Sequence, residues 1–102
     1  MNSQFGERIR ELREKQNLYL RQVAPLLEMD TAQLSKIEKG LRQLKRELIP
    51  ILANILKVES EELLTLWVAA QIIDVTSGED VALKAIQVAE KEIINIRKKM
   101  EK

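Results

Sequence analysis

Phe5, Ile9 and Leu12 recur at intervals of four and three residues, and Arg8, Arg10, Glu11 and Glu14 occupy positions between them. That spacing predicts a helix with one face in a core and the other in water. Asn2 or Ser3 is placed to cap its start. Asn17 suits the left-handed residue that ends it, with Leu18 folding back onto the last turn. A second short helix reads from Leu20 to Leu27, turning Val23, Ala24 and Leu27 inward, and Pro25 shortens or bends it. Asp30 is a good N-cap for a third helix, with Gln33 at capping-box spacing. Leu34 and Ile37 form the buried edge of that helix, and Gly40 is its natural stop. Two short helices across a three- or four-residue turn make a helix-turn-helix pattern.

A fourth helix is expected from about Lys45 to Lys57, burying Leu48, Leu52, Ile55 and Leu56; Pro50 fits if the first turn starts near Glu47. Ser60, Glu61 and Glu62 open a fifth, which carries Leu63, Leu66 and Trp67 and ends near Val75. The segment "TSGED" is a turn, with Ser77 or Asp80 capping a last helix. Along that helix Ala82, Ile86, Ala89, Ile93, Ile96 and Met100 follow alternating spacings of four and three, a heptad seam. With Ile86, Ile93 and Met100 at a, Glu92 falls at g and Arg97 at the next e, an opposite-sign pair in a parallel two-stranded coil. Val88 and Ile94 widen the apolar surface. The seam fits two uses: packing on its own domain, or pairing with a second copy.

Composition supports helices throughout. Hydrophobic residues make up 45% of the 102 and charged residues 32%, enough for one small domain with an appendage. Aromatic residues are only 3%, and apolar and polar positions rarely alternate, which argues against strands. Cysteine and histidine are both absent, so no disulfide, thiolate metal site or histidine base is available. Ser35 and Ser77 have no base to activate them. Adjacent Glu61 and Glu62 point in different directions on a helix, and the glycines stand singly, forming no phosphate-cradling loop. No catalysis, cofactor, metal or small-molecule ligand is expected. The N-terminus has no secretory apolar run, and the longest apolar stretch is too short to span a membrane. A soluble, cytoplasmic chain is the expectation.

Charge adds one local feature. The net formal charge is +1, yet Met1 to Lys45 carries nine Lys/Arg against six Asp/Glu. In "DTAQLSKIEKGLRQLKR" (30–46), Lys36, Lys39, Arg42, Lys45 and Arg46 face Glu38 alone among acids after the cap. On a helical wheel Ala32, Lys36 and Lys39 share the outward side, with small residues at the tip and longer donors farther along. Such a face fits a groove of duplex DNA, where Lys donates to guanine O6 or N7 and flanking cations hold phosphates. It also fits an ordinary solvated helix surface.

The segments "IRELREKQNL" (9–18), "VAPLLEMDTAQLSKIEKG" (23–40) and "ILANILKVESEELL" (51–64) resemble the Cro/C1-type (XRE) helix-turn-helix repressors. The likeness covers about two thirds of the chain. It implies an all-α, five-helix lambda-repressor-like DNA-binding domain over 1–67; residues 68–102 lie outside the likeness and form an additional C-terminal helical extension, read as a dimerisation element from its heptad seam. It implies double-stranded DNA as partner, Thr31, Ala32 and Lys36 at base-reading positions, and Gln33, Lys39, Arg42 and Arg46 at phosphate or groove-edge positions. It also implies a partly buried ion pair between Arg13 and Glu38. One half-site contact by so small a module is too weak for useful selectivity, and the heptad seam of Ala82, Ile86, Ala89, Ile93, Ile96 and Met100 is the candidate for joining two copies in a homodimer. The chain departs from the pattern at Tyr19-Leu20, where Ser/Thr-Gln is usual, at Glu28 in place of the turn glycine, and at Pro25 and Pro50. The expected function is transcriptional regulation, as a repressor. An antitoxin or adaptor that uses the same fold to meet protein is the alternative, and a purely structural bundle leaves the basic cluster without a purpose.

Overall fold

The computed structural model describes residues 4–101, so the expected cap at Asn2 or Ser3 lies outside the described residues. The described residues are mostly helical, with no strand among them. The α-helices are α1 (Gln4–Lys15), α2 (Leu20–Val23), α3 (Thr31–Glu38), α4 (Ile49–Leu56), α5 (Ser60–Thr76) and α6 (Ala82–Met100). Backbone contacts divide the chain into two compact units, 1–71 and 72–102. The first holds the core: Phe5, Ile9, Leu12, Val23, Ala24, Leu27, Leu34, Ile37, Leu52, Leu56 and Leu63 are all buried. α1 packs on α3 and α4, and α2 on α3.

Local chemistry sets the helix ends. Asn17 has φ 58°, and the Leu18 amide donates to the Arg13 carbonyl at 3.0 Å, closing α1 while Leu18 packs on the core. The second helix keeps α geometry only through Val23. Ala24–Leu27 tightens into a 3-10 turn, because Pro25 has no N–H for the Arg21 carbonyl and its ring crowds that oxygen. Glu28 then takes the left-handed conformation, φ 56° and ψ 41°, without glycine's steric freedom. Lys57 does the same after α4, with φ 60°.

The fourth helix departs in phase from the sequence expectation. Arg46–Leu48 forms a 3-10 turn, and α4 proper starts at Ile49, with Pro50 in its first turn. A 3-10 residue advances about 120° rather than 100°, so the inward stripe is rotated. Ile49 and Ala53 are fully buried, while Leu48 and Ile55 are only partly so. The last helix is preceded by Val81 in the N-cap position with no side-chain cap; neither Ser77 nor Asp80 fills that role. Gly78, at φ 82°, lies in the turn after α5.

Gly6 fixes how closely α1 approaches the end of α3. A Cβ there would stand 2.8 Å from the Ile37 carbonyl oxygen and closer still to that of Glu38. Both neighbours are backbone and cannot swing away. Gly6→Ala is expected to destabilise the domain by about 1–3 kcal/mol through overpacking, although alanine is the better helix former by about 1 kcal/mol. Denaturant unfolding reads the sign directly, and a more stable variant would show that the two helices are free to separate.

Candidate nucleic-acid interface

α3 is set by its two ends. Asp30 has extended backbone, and its carboxylate accepts the Gln33 amide at 2.7 Å. At the other end Gly40, φ 77°, lets its own amide reach the Ile37 carbonyl and the Leu41 amide reach that of Lys36, at 3.1 and 2.9 Å. Between these ends Leu34 and Ile37 are buried on the inner side. Thr31, Ala32, Lys36 and Lys39 are exposed on the outer side, and Gln33 is half-buried.

Glu38 is the buried charge of this region. It accepts from Arg13 Nε at 2.7 Å and from the Nη2 nitrogen at 3.0 Å, a two-pronged contact. The third guanidinium nitrogen donates to the Leu18 carbonyl at 2.8 Å. The side chains are 11% and 5% exposed. The hydrogen bond that Arg13 donates to Glu38 raises the Arg13 pKa above its ordinary value, against the opposing effect of burial. One arginine thus joins the end of α1, the turn after it and the end of α3.

The segment from Leu41 to Lys45 carries no regular structure yet is held at one point. Leu44 is buried, and the Trp67 indole N–H donates to its carbonyl at 2.7 Å. Arg42, Lys45 and Arg46 are left exposed around this anchor. Gln33, Arg42 and Lys45 line a shallow cleft together with Glu28. Sequence reasoning missed Leu44, Trp67 as a hydrogen-bond donor, and Gly6. The only available signal for Trp67 was the general need of a half-buried indole for an acceptor.

Ion pairing is distributed unevenly. Each arginine of α1 meets a carboxylate: Arg8 with Glu11 and Glu62, Arg10 with Glu14, and Arg13 with Glu38. Among the described residues, Lys36, Lys39, Arg42, Lys45 and Arg46 meet none within 4.0 Å. The surface of α3 and the segment after it therefore carries uncompensated positive charge. No group of His, Cys, Asp or Glu suited to a metal ion occurs among the described residues. No described helix is long and apolar enough to cross a membrane.

No curated protein and no solved structure matches the chain. The model of the helix-turn-helix domain family matches residues 4–67, more than half of the chain and all of the surface just described. The chain belongs to the helix-turn-helix domain family.

Proposed function

We propose that the chain is a sequence-specific, double-stranded-DNA-binding transcriptional regulator of the Cro/C1 (XRE) type, acting as a repressor and as a homodimer. The observation that carries this reading is the gathering of five exposed cations, Lys36, Lys39, Arg42, Lys45 and Arg46, on α3 and the segment after it, none with a carboxylate within 4.0 Å. An ordinary solvated surface needs no such segregation, whereas a polyanion rewards it through counterion release. The Arg13–Glu38 pair supports the finer assignment, because it is the ion pair that the Cro/C1 resemblance implies.

The mechanism follows from side-chain reach. A major groove about 12 Å wide admits one helix. Thr31 and Ala32, short and exposed at the leading turn, let the backbone of α3 approach the groove floor. Lys36, a turn farther on, extends its ammonium to guanine O6 or N7. Gln33, Lys39, Arg42 and Arg46 hold the sugar–phosphate rails on either side, fixing register without reading sequence. The anchor at Leu44 and Trp67 keeps Arg42 and Arg46 at a constant offset from α3. One such contact is short of information, and two copies reading half-sites about 34 Å apart supply the rest.

The test is a binding titration on random and selected duplexes over a range of salt. Three cations per protomer on phosphates give a log–log slope of roughly −3 per protomer. Lys36→Ala is expected to lose about 1–3 kcal/mol on the preferred sequence and little on random duplex. Equal loss on both places Lys36 on phosphate. Absence of both affinity and salt slope favours the rival, an antitoxin or adaptor surface, for which Tyr19-Leu20 in place of Ser/Thr-Gln and Glu28 beside the basic cleft are the best support.

A further inference from the structure

Arg21 is another cation without an acidic partner, and it differs from the exposed lysines in having an aromatic one. Arg21 stands on α2, and its guanidinium carbon lies 4.6 Å from the centroid of the Tyr19 ring. Among the described residues it makes no ion pair and no side-chain hydrogen bond. Tyr19 is 60% exposed, so its ring adds little to the core. The backbone that carries the ring is nonetheless fixed. Tyr19 has extended backbone, φ −90° and ψ 157°, and its amide donates to Gln22 Oε1 at 2.7 Å. The bond anchors the residue, the ring carries the guanidinium, and the guanidinium keeps its donors free.

We propose that Arg21 is a phosphate contact additional to Lys39, Arg42 and Arg46, and that Tyr19 is its positioning residue. The proposal rests on the DNA-binding reading and adds a second element to it. In a helix-turn-helix corner the first helix crosses the sugar–phosphate backbone while the second enters the groove. α2 is that first helix and packs directly on α3. A guanidinium suits phosphate because its fork matches two oxygens and it sheds water more readily than an ammonium. Stacking on a ring face is compatible with that contact, since the donors lie in the plane of the group and the ring lies below it. Ordering the side chain before the encounter reduces the rotamer freedom lost on binding.

Salt-dependent titration of the full chain distinguishes this role from a merely local surface contact. Arg21→Ala is expected to weaken binding to random and selected duplexes alike, by roughly three- to tenfold at 0.1 M salt, and to reduce the slope by about 0.9 per protomer. Tyr19→Phe keeps the ring face and is expected to match the parent. Tyr19→Ala leaves the charge but frees it, for a loss of about two- to threefold with the slope retained. Both side chains are exposed, so thermal melting should be unchanged in all three variants.

An unchanged slope in Arg21→Ala overturns the phosphate contact, and a changed sequence preference replaces it with base reading. Tyr19→Ala behaving as the parent overturns the positioning role. So does Tyr19→Phe failing as badly as Tyr19→Ala, which would make the hydroxyl the contact. Failure of the parent itself to bind any duplex overturns the DNA reading as a whole. That result is distinct from a binding parent with an indifferent Arg21→Ala.

Discussion

Glu38→Ala is expected to lower the free energy of unfolding by about 3–5 kcal/mol, and Arg13→Ala by a similar amount. Small domains have only about 5–15 kcal/mol in total, so either change removes a large share of it. The size follows from burial. Each partner is almost entirely out of water, and the survivor of a single truncation keeps its charge without its counter-charge. Arg13 also satisfies the Leu18 carbonyl, so its loss opens the turn between α1 and α2 as well. Because its pKa is shifted upward, the cationic end is charged at every ordinary pH, and the stability linked to its proton is lost as pH rises past the raised value. Lysine is no substitute, since one ammonium cannot span both carboxylate oxygens and Leu18.

The control is a double replacement, Arg13→Met with Glu38→Leu. Removing both charges together avoids the stranded partner, and exchanges of this kind are often neutral. The double variant is expected to be more stable than either single alanine variant. It should still fall short of the parent by about 1–2 kcal/mol, the cost of leaving the Leu18 carbonyl unpaired. Urea unfolding of the four proteins closes the cycle. Additive losses would mean that the two side chains do not act as a pair in solution.

The same region shows what the sequence could and could not reveal. The inward stripes of α1 and α3 were legible because helical period and burial are the same information read twice. Asp30, Asn17 and Gly40 were legible because each carries local backbone chemistry. Glu38 was ambiguous on periodicity alone; only the resemblance gave it a partner 25 positions away. Gly6 could not be read, since its reason is a carbonyl on another helix. Leu44 and Trp67 are joined by a side chain meeting a distant backbone oxygen, which leaves no spacing to detect. The phase of α4 was misread because a 3-10 turn of three residues looks, in sequence, like one more turn of α-helix. Glu28 and Lys57 take left-handed conformations usually left to glycine and asparagine, and residue type gave no hint of either.

Ile86→Asp with Ile93→Asp is expected to halve the mass in solution and to weaken binding to paired half-sites by about 10²–10⁴-fold. α6 is a solvent-exposed helix. None of its residues is buried, and Ile86, Ile93, Ile96 and Met100 are each 39% exposed or more. An apolar seam of five turns left in water is a marginal helix by itself, and it gains most from a partner carrying the same seam. A second copy would supply one: Ile86, Ile93 and Met100 would meet their counterparts at a, and the small Ala82 and Ala89 at d would allow close approach. Glu92 at g would face Arg97 at e of the other strand, which favours a parallel arrangement. Two aspartates at consecutive a positions place like charges against each other in the dry centre of that seam. They are exposed in the single chain, so residues 4–67 should melt as before.

The measurements separate pairing from binding. On a duplex with one half-site the variant and the parent should bind alike, because α3 and its cations are untouched. On two half-sites one helical turn apart the parent should gain through the linked second contact and the variant should not. Removal of everything after Gly78 provides an independent route to the same monomer. If light scattering gives the parent, the double aspartate and the truncated chain the same mass per particle, α6 does not join two copies. Two-site recognition would then need another surface.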